Sequence, residues 1–188
     1  MSAHDGDEDL AWIASELSAI RRELLPRGES RALFLALDQG GTSSRAVLFD
    51  SLGREVATAH VPINTIRMGD DRVEHDAAEL LQSLRTAAHD ACESPLAAGR
   101  PIVAAGLATQ RSTICCWDRT DGTPLSPALS WQDRRNASWL HEHLGARCGW
   151  VRELTGLPLS PHYGASKIRW CLDELPAVRL ALRDERLC

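Results

Sequence analysis

The stretch LALDQGGTSSRAVLFD, residues 35–50, carries an apolar run into an aspartate, turns through two glycines and three hydroxyl residues, and resumes as a second apolar run. The flanking segments RALFLAL and RAVLFD read as strands. DSLGRE is a turn with glycine where a hairpin wants one, and EVATAHVPI continues as a third strand, so three consecutive antiparallel strands open the fold. Glycine lets a backbone approach a ligand closely. A turn holding Gly40, Gly41, Thr42, Ser43 and Ser44 therefore offers bare N–H groups and hydroxyls to phosphate oxygens. Asp38 at the strand end is placed to hold a divalent cation, and Arg45 follows just beyond the turn. The spacing is neither the GxxxxGK[ST] phosphate loop nor a GxGxxG dinucleotide turn. A plain hairpin turn stays open as the alternative on spacing alone.

The rest of the chain bounds what this turn serves. At 188 residues with 44% apolar side chains there is enough material for one ordinary domain with a real core. A net charge of −5, with no stretch gathering lysine and arginine on one face, argues against a nucleic-acid partner or an anionic membrane. Six cysteines show neither CxxC pairs nor zinc-ligand spacing, and the first ten residues are acidic without an apolar segment. Reduced thiols in a cytoplasmic protein are the expectation.

Residues 8–25 place Leu10, Ile13, Leu17, Ile20 and Leu24 at helical spacing, which predicts an amphipathic helix in an N-terminal extension, residues 1–30. It could pack on a neighbour, remain a mobile leader or bind a partner. From His75 the pattern predicts a helix with Asp76 as N-cap and Glu79 completing a capping box, and Ala77, Leu80, Leu81, Leu84, Ala88 and Ala91 along its packed side. PIVAAGLAT reads as a fourth, buried strand. STICCWDRTDGTPL and PALSWQ read as strand, DG turn and strand, and helices are predicted near 134–144, 149–154 and 165–175. The order βββαβ with further elements describes a mixed α/β sheet flanked by helices. Trp117, Trp139, Trp150 and Trp170 are expected in the core, and Asp133, Arg134 and Arg135 read as a solvated helix start.

LALDQGGTSSRAVLFD closely resembles the first phosphate motif of the FGGY carbohydrate kinases, in its glycerol kinase-like form LDQGTTSSRAxxFD. The resemblance continues in order through VEHDAAELLQS, GLATQRSTICCWDRTDGTPLSPALSWQDRR, TGLPLSPHYGASKIRWCLDE and LRDERLC, covering residues 31–188. It implies an actin-like ATPase fold of the ribonuclease H type, with ATP and Mg2+ as cofactors and phosphoryl transfer to a sugar or polyol hydroxyl. In that family Asp38 would sit near the magnesium, with Gly40, Gly41, Thr42, Ser43, Ser44 and Arg45 on or beside the phosphate loop. Gly41 departs from the usual threonine and removes one hydroxyl.

On the acceptor side, the Arg-Glu pair that grips two hydroxyls of glycerol becomes Arg111 followed by Ser112, with Gln110 before it. The motif DPYFSGTK becomes SPHYGASK, which puts His162 at the tyrosine position. Trp131 keeps the aromatic wall, and it speaks against a chaperone-type ATPase of the same fold. Glycerol is the leading acceptor, and the departures at Ser112 and His162 leave other sugars and polyols open. The family's catalytic aspartate belongs to a GDQ-type motif that does not occur after Lys167. The expectation is therefore a truncated first domain, 31–188, inactive by itself. A binding or oligomerisation module built on a truncated kinase is the alternative, with a homo-oligomer among its partners.

Overall fold

Leu33, Leu35 and Leu37 alternate with Phe34, Ala36 and Asp38, and this period of two makes β1 (Leu33–Gln39) a strand with a different environment on each face. The computed structural model describes residues 31–188, so the amphipathic pattern at 8–25 lies outside the described residues. β2 (Ser43–Asp50) runs antiparallel to β1 with Arg45 opposite Asp38, and β3 (Glu55–Pro62) runs antiparallel to β2. The turn between β2 and β3 needs Gly53 at φ 77°, and the Asp50 carboxylate accepts the Leu52 and Arg54 N–H groups at 2.8 and 3.0 Å. The three antiparallel strands expected at the start of the fold are present.

A hairpin unforeseen in the sequence follows. β4 (Ile66–Met68) and β5 (Arg72–His75) turn at Gly69, φ 65°, and join β7 (Ala128–Leu129) in a second sheet of order β4-β5-β7. α1 (Ala77–Cys92) starts where Asp76 accepts the Ala78 and Glu79 N–H groups at 2.7 and 3.1 Å. The capping box is only half formed. The Glu79 carboxylate turns instead to the Asn64 backbone N–H (3.0 Å) and side-chain amide (2.8 Å), tying the helix to the chain that follows β3. Of the expected packed side of α1, Ala91 is buried, and the rest of the buried face differs. Ser83, Ala87 and Ala91 press on β2 and β3 because small residues let the helix lie close, while Leu81 stays exposed and Leu80 and Leu84 line an apolar groove with Trp117 and Pro124.

β6 (Ile102–Thr109) pairs parallel to β1 and closes the first sheet in the order β3-β2-β1-β6. It is not buried, contrary to its apolar sequence: all eight residues are exposed, because β6 is the sheet's edge and α1 lies over β2 and β3. The core of this half is Leu33, Ala46, Leu48, Ala87, Ala91 and Ala97, with Leu35, Leu37 and Val61 packed around it.

The second half is helical. α2 (Ala137–Leu144), a 3-10 turn (Gly145–Arg147), α3 (Cys148–Thr155) and α4 (Gly164–Glu174) fall close to the predicted ranges, and α5 (Pro176–Arg183) is additional. Pro176 separates α4 from α5, since the residue before a proline avoids helical geometry and Leu175 sits at φ −104°, ψ 106°. Cys116, Leu129, Cys171 and Val178 form this half's core with Trp170 and Leu175 around them. Trp117 and Trp150, expected inside, are 42% and 56% exposed. Among the described residues no helix is long and apolar enough to cross a membrane.

Candidate functional site

Parallel pairing sets Asp38 beside Ala108 and Gln39 beside Thr109, so the carboxyl ends of β1 and β6 finish together. Chain leaving two such ends diverges and opens a crevice. A cavity of about 850 Å³ occupies it, lined by Asp38, Gly40 and Gly41 on one side and by Gln110, Arg111, Ser112, Trp131 and His162 on the other. Gln39, Thr109, Leu157 and Tyr163 complete the lining and escaped the sequence reading.

The glycine turn is tightly braced. The Gly40 N–H donates to the Ser43 carbonyl at 2.9 Å, and a side chain at Gly40 would bring its Cβ to 3.0 Å from that same oxygen. Ile63 donates to the Thr42 carbonyl (3.0 Å) and the Thr65 hydroxyl to the Gly41 carbonyl (3.2 Å). Gly41 has more room, with Trp131 Nε1 and Gln110 Oε1 at 3.8 and 3.9 Å from where a Cβ would stand, so its glycine widens the cavity. Asp38, about half exposed, ion-pairs with Arg45 at 3.5 Å.

Ser44 departs from the expected phosphate role. Its hydroxyl is fully buried under the sheet, bonded to Ser83 of α1 at 2.7 Å and to the Gln39 side-chain amide at 3.0 Å, because alternation along β2 points it away from the turn's open side. Thr42, Ser43 and Arg45 lie next to the cavity without lining it.

On the opposite wall, Gln110 joins both halves: its amide donates to the Gly40 carbonyl at 2.7 Å, and its oxygen accepts the Thr113 hydroxyl at 3.1 Å. Thr113 also accepts the Trp131 backbone N–H at 3.0 Å, which sets the indole over the cavity. His162 stands edge-on to Trp131 with ring centroids 5.8 Å apart. Ser112 adopts φ 65°, a left-handed conformation that costs a residue bearing a Cβ about 1 kcal/mol.

Beneath this wall lies Lys167, 1% exposed, donating to the Ser112 carbonyl at 3.1 Å and the His162 carbonyl at 2.5 Å. Burial pulls its ammonium down to about 8, with the Asp133 carboxylate opposing that shift and Arg135 adding to it.

Asp133 and Arg135 are not a solvated helix start; their side chains are 0% and 1% exposed. Arg135 grips Asp133 with two nitrogens (2.9 and 2.7 Å), reaches Glu74 at 2.5 Å and lies 4.3 Å over the Trp170 ring. Burial pushes the Asp133 carboxyl up, but the Arg135 guanidinium and the Val73 and Arg135 N–H groups more than reverse it, leaving it below the ordinary range.

The family description of the FGGY carbohydrate kinases, N-terminal domain, matches residues 33–184. The chain belongs to the FGGY carbohydrate kinases. This FGGY chain is 41% identical over 157 residues to a glycerol kinase of Paraburkholderia phytofirmans, covering 81% of this chain and 31% of the relative. It is 40% identical over 146 residues to a glycerol kinase of Rhodospirillum rubrum, covering 77% and 30%. The chain spans about a third of the length of the curated relatives it matches. Its backbone is similar to that of the Plasmodium falciparum glycerol kinase with ADP, with a TM-score of 0.77 at 22% identity over 84% of this chain and 32% of that one. A xylulose kinase from Rhodospirillum rubrum follows the same path, with a TM-score of 0.66 at 24% identity over 78% of this chain and 30% of that chain. These likenesses show the fold, which is the actin-like ATPase fold that the motifs imply.

Proposed function

We propose that residues 31–188 supply the phosphate turn and the acceptor-binding wall of an ATP-dependent sugar or polyol kinase, with glycerol the leading acceptor. The observation that carries this reading is convergence. The glycine turn with Asp38, the Gln110–Ser112 segment, Trp131 and His162 come from separate parts of the chain and line one cavity. A sugar or polyol presents apolar ring or chain faces to an aromatic wall and hydroxyls to donors. Trp131 and the guanidinium of Arg111 are those two kinds of group.

Asp38 suits magnesium as a nucleotide brings it. That ion keeps several waters and takes one or two carboxylates besides phosphate oxygens, and Asp38 is one half-exposed carboxylate at the cavity. When bound, magnesium with its nucleotide would supply charge neutralisation at the transferred phosphate. The chain's own part is to hold the reactants in place. The braced backbone at Gly40 and Gly41 lets phosphate oxygens approach, Gln110 fixes the distance from turn to acceptor wall, and Trp131 keeps water from one face of the acceptor. Ser112 and His162 stand where the family's motifs carry a carboxylate and a phenol, which changes the polar contacts offered to the acceptor. The base that deprotonates the acceptor hydroxyl is assigned to no residue of this chain. The same reading makes residues 1–30 an extension to the kinase domain and the protein a cytoplasmic one acting on small molecules.

Calorimetric titration of the 188-residue chain with Mg-ATP and with glycerol tests the reading. Asp38→Asn is expected to weaken Mg-ATP, and Trp131→Ala to weaken glycerol, by about tenfold each. If Mg-ATP, glycerol, xylulose and gluconate all fail to bind, the reading is wrong. Polyol-dependent ADP release from the chain alone would refute the assignment of the base elsewhere.

A further inference from the structure

We infer that Lys167 is a positioning residue, the buried clamp that holds the two loops of the acceptor wall against each other. The inference rests on the kinase reading for what the wall binds. Ser112 and His162 are fifty residues apart in sequence, on loop segments that no strand pairing joins. One ammonium group hydrogen-bonds to both, beside the packing of Gly164 on Ile114 and of His162 on Trp131. Lys167, on the first turn and a half of α4, donates to the carbonyl of each residue while its side chain is 1% exposed.

Three features make this a fastening rather than incidental packing. First, both acceptors are backbone carbonyls, so the bonds fix where the chain runs, not merely where a side chain points. Second, Ser112 holds a left-handed backbone at φ 65°, a conformation that persists only when its surroundings enforce it, and its carbonyl is one of the two that Lys167 engages. Third, a buried ammonium is costly unless hydrogen-bonded, and these two carbonyls are the bonds it makes. The base of α4 is in turn fixed to the wall. Gly164 lies so close to Ile114 that a Cβ there would meet its Cδ1 at 2.7 Å, and the Asn136 amide donates to the Ser166 carbonyl at 2.8 Å. α4 is thus a rigid mount, and Lys167 transmits its position to the wall.

Lys167 is buried outside the cavity lining, so its role is positional and not one of proton transfer. Its effect passes through Ser112 and His162. Releasing it frees the Ser112 segment to leave the left-handed region and lets the His162 ring swing from Trp131, which loosens the acceptor side and leaves the glycine turn alone.

The sequence contains a single lysine, so one lysine ammonium signal reports the clamp without assignment. In the wild-type chain labelled with nitrogen-15 at pH 6.5, the ammonium signal is expected to be visible at 25 °C through its slow exchange with water. A signal lost to exchange overturns the clamp whatever any variant does. In Lys167→Ala and the more nearly isosteric Lys167→Met, the carbonyl carbon signals of Ser112 and His162 should shift while those of β2 stay in place. Glycerol should bind about tenfold more weakly with Mg-ATP affinity unchanged. Propylammonium should restore glycerol affinity in Lys167→Ala and not in Lys167→Met, where no space is left for it. Unchanged carbonyl signals, or loss of glycerol and Mg-ATP affinity in parallel, would reduce Lys167 to a general stabiliser and refute the inference. Should the wild type bind no glycerol, the kinase reading fails, and the ammonium and carbonyl signals still decide the clamp.

Discussion

Replacing Arg135 by methionine isolates the ion-pair group with the lowest side-chain exposure among the described residues. The guanidinium is 1% exposed and satisfies two carboxylates, Asp133 at 0% and Glu74 at 13% side-chain exposure. Methionine keeps much of the volume and removes the charge. Truncating one partner of a buried pair typically costs 3–5 kcal/mol, because the remaining charge is left uncompensated. Two local terms adjust that range. Asp133 keeps the Val73 and Arg135 backbone N–H groups at 2.8 and 3.1 Å, which softens the loss, while the contact of Arg135 with Trp170 at 4.3 Å disappears and adds about 1 kcal/mol. The expected cost is about 4 kcal/mol, a large part of the stability of a typical domain. Urea denaturation followed by circular dichroism reads it directly. The partner variant Asp133→Asn supplies a double-mutant cycle, in which the two changes together should cost at least about 1.5 kcal/mol less than the sum of each alone. A cost for Arg135→Met below about 1 kcal/mol, or a cycle with no coupling, would refute the buried-triad reasoning.

Proton linkage gives two further tests of the same sign in different pH windows, since both groups titrate below their unfolded values. Asp133 titrates below the ordinary carboxylate value of about 3.9, so the stability it contributes is fully present above that pH and lost as pH falls through its lowered value; the gap between wild type and Asp133→Asn should close in that acid range. Lys167, held near 8 against about 10.4 in an unfolded chain, has the same pH slope for a different reason: burial of its charged form costs stability below pH 8, and that cost is relieved as the folded chain loses the proton. The wild type should gain stability relative to Lys167→Met as pH rises from 8 towards 10.4, measured by urea midpoints across that range. Ser83→Ala removes a buried hydroxyl partner from Ser44 and should cost about 1–2 kcal/mol in thermal unfolding, yet leave Mg-ATP affinity in calorimetry unchanged, since the Ser44 hydroxyl is buried away from the open side of the glycine turn.

The first sheet was legible because its signals are local. Alternation at Leu33–Leu37, the glycine turn and Gly53 each act within a few residues, and the structure places strands and turns where they point. That Arg111, Trp131 and His162 line one cavity was legible only through resemblance, since nothing in their spacing tells that three loops will meet. Burial of the charged triad was hidden for the same reason. DRR at residues 133–135 is a common surface pattern, and its partner Glu74 lies sixty residues away on a two-residue pairing of β5 with β7. Lys167 did carry a sequence signal, being the single lysine of an arginine-rich chain and part of SPHYGASK, but its partners are backbone carbonyls, which leave no mark in sequence. The apolar run of β6 was misread as buried because hydrophobicity reports what a strand is suited to, whereas exposure depends on which neighbours lie against it.

The pairing of β6 with β1 also has a meaning for the order in which the molecule assembles. The hairpins β1–β2 and β2–β3 join residues close in sequence, and α1 docks on strands it follows within about thirty residues. The parallel contact of Leu33 with Ile102 and of Gln39 with Thr109 must instead close a loop of about seventy residues, an entropy cost met only after nearer contacts exist. The crevice at the strand ends straddles that late seam. Its opening therefore needs only β6 to detach, so hydrogen exchange should find the Gln110–Ser112 wall exchanging through a partial opening that leaves the β1–β2–β3 meander and α1 intact. Ligand that bridges Gly40 and Gln110 would stitch the seam shut, and binding would then be read as slower exchange along β6 itself, a strand whose residues 102–108 lie outside the cavity lining.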